Sequence, residues 1–162
     1  MKASEAGCLP IPGTIRWDDT ELVALAQKLT KGSGNLWEAS CKISKWVAEN
    51  IEGSILDGSA KETFIERRGL CGAQSKLMAA LCRAAGIPAR VVWGCMYTPE
   101  MNGSFGHHAW NEVYMGSDGW IPVDVTIHET EYADSGHIRL GVLKTSQTRI
   151  NYEEINILDY KL

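Results

Sequence analysis

The stretch from Arg68 to Val92 leaves this chain few ways to fold. From Ala73 to Ala85, strong helix formers carry apolar residues at Leu77, Met78, Leu81, Cys82 and Ala85, the stripe of a helix packed on a core. Gly86 ends it, since glycine takes the left-handed conformation past a helix end at no steric cost, and Pro88 keeps the helix from resuming. At the other end, Cys71 lies between Gly69 and Gly72. There, unpaired backbone N–H groups and the helix dipole favour an anion, and so a thiolate. A cysteine in that place is also compatible with a plain buried thiol or a zinc ligand.

Two later stretches bear on the choice. Gly106 to Tyr114 reads as a strand with a histidine at its start, and Gly119 to Thr126 as a partner strand carrying an aspartate. Cysteine, histidine and aspartate then occur in that order, each at the edge of a predicted element. Taken together, Gly69-x-Cys71, Gly86-Ile87-Pro88-Ala89-Arg90, His108-Ala109-Trp110 and Trp120-x-x-Val123-Asp124 resemble the transglutaminase-like domains, relatives of papain-like cysteine peptidases. The resemblance runs from about Leu22 to Leu143.

This resemblance implies Cys71 as nucleophile, His108 as its base and Asp124 as the residue that orients the imidazole, with His107 the alternative histidine. It implies acyl transfer through a thioester, either to water, as in hydrolysis of a peptide or isopeptide amide, or to an amine, as in a protein-glutamine transglutaminase. The partner would be a peptide or protein substrate, with no cofactor. The Cys71 backbone N–H is the first donor to the tetrahedral oxyanion. Animal transglutaminases use an upstream tryptophan as a second donor, which here would be Trp37; Asn35 and Gln74 are the alternatives. One departure is Glu52-Gly53, where many relatives carry a tyrosine. A different class of function is a non-catalytic protein- or peptide-binding domain that keeps the fold, although the presence of all three triad residues favours the enzyme.

The order of elements sets the fold class: helices come before a run of strands, as in an α+β papain-like or transglutaminase-core domain and not a doubly wound parallel sheet. Asp18-Asp19-Thr20 caps a helix ended by Lys31-Gly32; a second helix runs from about Leu36 to Ile51; a short one spans Ala60 to Glu66. Ala89 to Tyr97 reads as a strand covered on both faces, followed by a loop through Gly106 that forms a wall or lid of the site. Arg67 and Arg68 either raise the potential near Cys71 or sit in solvent. The strands at His108 and Asp124 form a hairpin, and side-chain alternation tests the triad. A tight turn at Ser117-Asp118 would pair Asp124 with Asn111, on the wrong face for His108. A loop over Met115–Gly119, or a bulge at Pro122, would pair it with Trp110, one diagonal step from His108. Ile138 to Leu143 and Glu154 to Leu158 read as closing strands, and His128 and His137 as surface or structural histidines.

At 162 residues the chain is the length of one domain. The net charge of −4, with no basic cluster beyond Arg67-Arg68, argues against nucleic acid. No apolar run is long enough for a transmembrane helix, so no membrane contact is expected. The first residues lack the apolar stretch of a secretory signal, which places the protein in the cytoplasm; a domain trimmed from an exported protein would look the same. The five cysteines include no CxxC pair, which argues against zinc, and Cys41, Cys82 and Cys95 fall on packing faces. Nor is there the acidic cluster of a calcium site.

Overall fold

The computed structural model describes residues 15–99 and 103–143. Cys8 and the strand expected at Glu154 to Leu158 lie outside them. Helix α1 (Thr20–Thr30) is capped by Asp19, whose carboxylate accepts from the Glu21 and Leu22 N–H groups. Helix α2 (Leu36–Asn50) is capped by Asn35, and α3 (Ala60–Glu66) by a capping box of Ser59 and Glu62. Two short parallel strands, β1 (Glu52–Gly53) and β2 (Arg68–Gly69), flank α3.

Helix α4 (Cys71–Ala84) starts two residues before the sequence suggests, so Cys71 is its first residue. The apolar stripe understates its burial, because every residue from Ala73 to Arg83 is buried. It packs against α1, α2, α3 and the sheet, and its apolar side chains join Leu22, Ala26, Ile43 and Val47 in the core. The few polar residues on this helix are spoken for. Lys76 pairs with Asp57 at 2.7 Å, Arg83 donates to the Ala89 carbonyl at 2.9 Å, and Asn111 of the sheet donates to the Ser75 carbonyl at 2.9 Å. Gly86, with φ of +79°, ends the helix as expected.

Strands β3 (Ala89–Thr98), β4 (Ser104–Tyr114), β5 (Trp120–Val123) and β6 (His137–Val142) form an antiparallel sheet in the order β5-β4-β3-β6. The architecture is the expected α+β one. The β3–β4 ladder extends to Thr98↔Ser104, so Thr98 and Ser104 to Gly106 of the expected loop are strand, and His108 lies inside β4 and not at its start. Gly106 does not prevent pairing, whereas Gly103, with φ of +68°, lies in the connection between the two strands.

The β4–β5 hairpin adopts the longer loop. Met115–Gly119 connects the strands, and the ladder pairs Asn111↔Val123 and Glu112↔Pro122. Pro122 sits on the edge strand, where its missing N–H leaves no ladder bond unmade. The strand ends at Val123, and Asp124 turns away to bridge Glu129. A second irregularity lies between β3 and β6. The register pairs Trp93↔Gly141 but then Gly94↔Arg139, leaving Leu140 as the extra residue of a bulge. Such a one-residue slip exchanges the faces of every residue beyond it. It turns His137 and Arg139 to the side of the sheet that carries His108, Trp110 and Glu112.

Candidate active site

The N-cap position of α4 is held by Leu70, which makes no side-chain capping bond, so the first-turn N–H groups are not capped by the chain there. The thiol of Cys71, half-buried, lies against β4 and is hydrogen-bonded by the His108 ring and the N–H groups of Ala109 and Gly72. Burial pushes the thiol pKa up; the His108 bond and charge, with those N–H groups, outweigh it and leave the thiol below its ordinary value. The His108 ring is 7% exposed on its side chain, with Nε2 on Asp124 Oδ2, and so presents Nδ1 to the sulfur. Burial disfavours the imidazolium, but Asp124 and Cys71 reverse this and raise the pKa to about 9. Asp124 is fully buried; burial works against its charge, yet bonds from His108 and His137 and the Thr126 N–H hold its pKa at about 2.

Alternation places the two neighbouring histidines as expected: His107 points to the other face of β4 and stacks on Trp93, ring centroids 5.8 Å apart. The arginines next to Cys71 do not serve it. Arg67, in the left-handed conformation after α3, lies over the rings of Trp46 and Phe64, and Arg68 pairs with Glu66 at 3.6 Å. Among the expected oxyanion donors, Gln74 donates instead to the Gly69 carbonyl at 2.9 Å, and the Asn35 side chain is engaged as the α2 cap. Trp37 packs partly buried against the core and does not line the cleft at Cys71. That cleft, of about 320 Å³, is bounded by Gly53, Ser54, Leu70, Met96, Thr98 and Ile127 around Cys71 and His108. Gly53 stands where many relatives would have a tyrosine, and a Cβ there would meet nothing within 4 Å.

Sequence reasoning, which expected His137 as a surface or structural histidine, missed its place beside Asp124. Its side chain is 4% exposed and its Nε2 lies 3.0 Å from Asp124 Oδ2. The signal in the sequence was the alternation of polar His137 and Arg139 with apolar Ile138 and Leu140, which marks a two-faced strand; only the bulge decides where the polar face looks. Nitrogen and oxygen atoms of His108, Asp124 and His137 lie within 4.8 Å of one another, as do those of Glu129, Asp134 and His137. Both sets have donor types that suit a divalent metal, but Asp124 already bonds both histidines of the first set, and in the second His137 bonds Asp134 while Glu129 accepts from the Asp134 N–H. Among the described residues, no helix is long and apolar enough to cross a membrane.

A model of the transglutaminase-like superfamily matches residues 23–125. A protein-glutamine gamma-glutamyltransferase of Pseudomonas aeruginosa is 40% identical over 78 residues, which make up 43% of this chain and 12% of that protein. Among solved structures, the chain is similar to a proposed cysteine protease from Cytophaga hutchinsonii, with 27% identity and a TM-score of 0.70 over 88% of this chain and 47% of that one. It shares the fold of the periplasmic domain of TgpA from Pseudomonas aeruginosa, at 23% identity and a TM-score of 0.56 over 80% of this chain and 49% of that one. The chain thus spans less than half the length of each of these relatives.

Proposed function

The chain belongs to the transglutaminase-like superfamily, whose model covers residues 23–125, and on that footing we propose that it is a cysteine-dependent acyl-transfer enzyme with Cys71, His108 and Asp124 as its catalytic residues. The observation that carries this reading is that Cys71 and His108 line one open cleft, with the far nitrogen of the His108 ring bonded to buried Asp124. The Cys71 sulfur, as a thiolate paired with the His108 imidazolium, adds to the carbonyl carbon of an amide in the cleft. The Cys71 N–H at the start of α4 bonds the oxyanion that forms. On collapse the C–N bond breaks, His108 passes its Nδ1 proton to the departing nitrogen, and the acyl group remains on sulfur as a thioester. His108, now neutral, takes a proton from the incoming water or amine as it attacks, and the thiolate leaves. Asp124 keeps the ring turned so that Nδ1 faces sulfur throughout, and holds its positive charge.

The side chains bounding the cleft beyond Cys71 and its histidines are uncharged. This suits a neutral amide of a peptide or isopeptide more than a carboxylate, and the reading assigns a peptide or protein substrate, hydrolysed by water. The second reading, transfer to a primary amine, is favoured by the 40% identity over 78 residues to a protein called a protein-glutamine gamma-glutamyltransferase. Incubating the protein with glutamine-containing and isopeptide-linked peptides, with and without a primary amine, tests both. Ammonia or amine release without added amine supports hydrolysis; amine incorporation into the peptide supports transfer. Release that persists in C71A overturns the nucleophile assignment. Placement in the cytoplasm belongs with these proposals, and recovery of the protein from a periplasmic or secreted fraction overturns it.

A further inference from the structure

The steps above leave one buried titratable group beside the site without a task. His137 reaches Asp124 with Nε2, while its Nδ1 faces the Asp134 carboxylate at 3.1 Å, the Asp134 carbonyl at 3.3 Å and the Glu129 carboxylate at 3.9 Å. Both ring nitrogens therefore face acceptors. A neutral imidazole, with one proton, would set a lone pair against an oxygen lone pair at one of them; the imidazolium donates at both. The ring is also fixed in place, edge-on to Trp110 with centroids 5.0 Å apart, and its centroid lies 5.9 Å from that of His108. It is there because of the β3–β6 bulge: without the slip at Leu140, Ile138 would occupy this side of the sheet.

We propose that His137 is a positioning residue: as an imidazolium it pins the Asp124 carboxylate beside His108 and, by sharing that negative charge, limits how tightly His108 holds its proton. The proposal rests on the reading of Cys71 and His108 given above. Asp124 Oδ2 accepts from both histidines and Oδ1 from the Thr126 N–H at 2.9 Å, so three donors fix the carboxylate. The charged groups facing His137 are Asp124, Asp134, Glu129 and the His108 ring; Met96, its partner across β3, is neutral, and Arg139, farther along β6, is bound to Glu112 at 2.8 Å. Burial works against the cation, but the carboxylates of Asp124 and Asp134 outweigh it and raise the His137 pKa. The consequence for chemistry is direct: an imidazolium held by an unshared buried carboxylate would give up its proton to a leaving group less readily.

The test compares the wild-type chain with H137Q, which keeps an N–H donor toward Asp124 without the charge, and H137F, which keeps a ring against Trp110 without donor or charge. NMR titration of the His108 ring is read without substrate. In H137Q, His108 should lose its proton at least about 0.5 pH unit higher than in the wild type, since a unit charge about 6 Å away has that effect even at the dielectric of water. Iodoacetamide labelling of Cys71 at pH 7 should fall about tenfold in H137F, where Asp124 is free to leave Nε2, and fall less in H137Q. An unchanged His108 titration in H137Q, or equal loss of labelling in the two variants, makes His137 merely structural and overturns the proposal. If circular dichroism shows that H137F does not fold, the H137Q titration decides alone. Failure of the underlying reading looks different: Cys71 would label slowly in the wild type and without dependence on His108.

Discussion

The Cys71 thiol lies below its ordinary pKa although burial pushes it up, because three separate features converge on one sulfur: a helix start with no side-chain cap, two backbone N–H donors and the His108 ring. The other described cysteines lack this. Burial pushes the Cys82 thiol up to about 12 and the Cys41 thiol above its ordinary value, so neither competes as a nucleophile at neutral pH. Iodoacetamide followed by peptide mass spectrometry should therefore find Cys71 labelled ahead of Cys41, Cys82 and Cys95. His108→Ala should slow that labelling more at pH 6 than at pH 9, where thiols ionise without help; equal slowing at both would mean that His108 does not stabilise the thiolate. These residues were legible in the sequence because each sits in a local motif: a glycine-flanked cysteine before a helix, a histidine in a strand, an aspartate after a proline-marked strand. His137 carries no such local mark. Its role is set by Asp124, Glu129 and Trp110, outside its own strand, as well as by Asp134 three residues before it, and the local alternation does not say which side of the sheet it faces.

At the scale of elements, two irregular ladders bring the site together. The Met115–Gly119 loop sets the β4–β5 register; alternation alone required either such a loop or a bulge at Pro122 once His108 and Asp124 were to meet. That step was legible because a hairpin is local and its loop lengths are few. The β3–β6 bulge was not, since it joins strands far apart in sequence, and its cause lies in packing. A Cβ on Gly94 would come within 1.9 Å of the Ile138 carbonyl and 2.9 Å of the Trp110 ring, so the close approach of β6 depends on glycine there. Gly94→Ala should destabilise the fold by about 1–3 kcal/mol or more, read as a lower urea midpoint. It should also loosen His137 from Asp124. Gly53→Ala is the control, because its Cβ meets nothing within 4 Å, and it should stay within about 0.5 kcal/mol of the wild type. Equal midpoints for the two variants would show that β6 can move aside at little cost, and the bulge would not be what holds His137.

For the whole molecule, the buried charges of the site make stability a function of pH. Asp124 falls from 3.8 to about 2 on folding, so its contribution is present above pH 3.8 and is lost as pH falls through about 2. His108 rises from 6.5 to about 9, so its contribution is full below pH 6.5 and is lost as pH rises through about 9. Cys71 runs the other way: its pKa is lowered from 9.0, so its contribution is present above that value and is lost as pH falls. Between pH 6.5 and 9 the folded protein thus holds one more proton than the unfolded chain on His108 and, while Cys71 is a thiolate, one fewer on Cys71. These two oppose each other, while His137, whose pKa Asp124 and Asp134 also raise, adds a contribution that is lost as pH rises, so thermal midpoints of the wild type should fall only gently across that window. Cys71→Ala removes the Cys71 contribution and the part of the His108 shift that Cys71 causes, and leaves the part held by Asp124. The variant's stability should then fall more steeply with rising pH, by up to about 1.4 kcal/mol per unit where His108 titrates. Thermal unfolding of both proteins in buffers from pH 5 to 10 checks this, and the quantity that matters is the difference in slope, since the substitution shifts the absolute midpoint for reasons of packing. Parallel curves would mean that Cys71 is a neutral thiol at pH 7 and that no ion pair exists for the proposed chemistry to use.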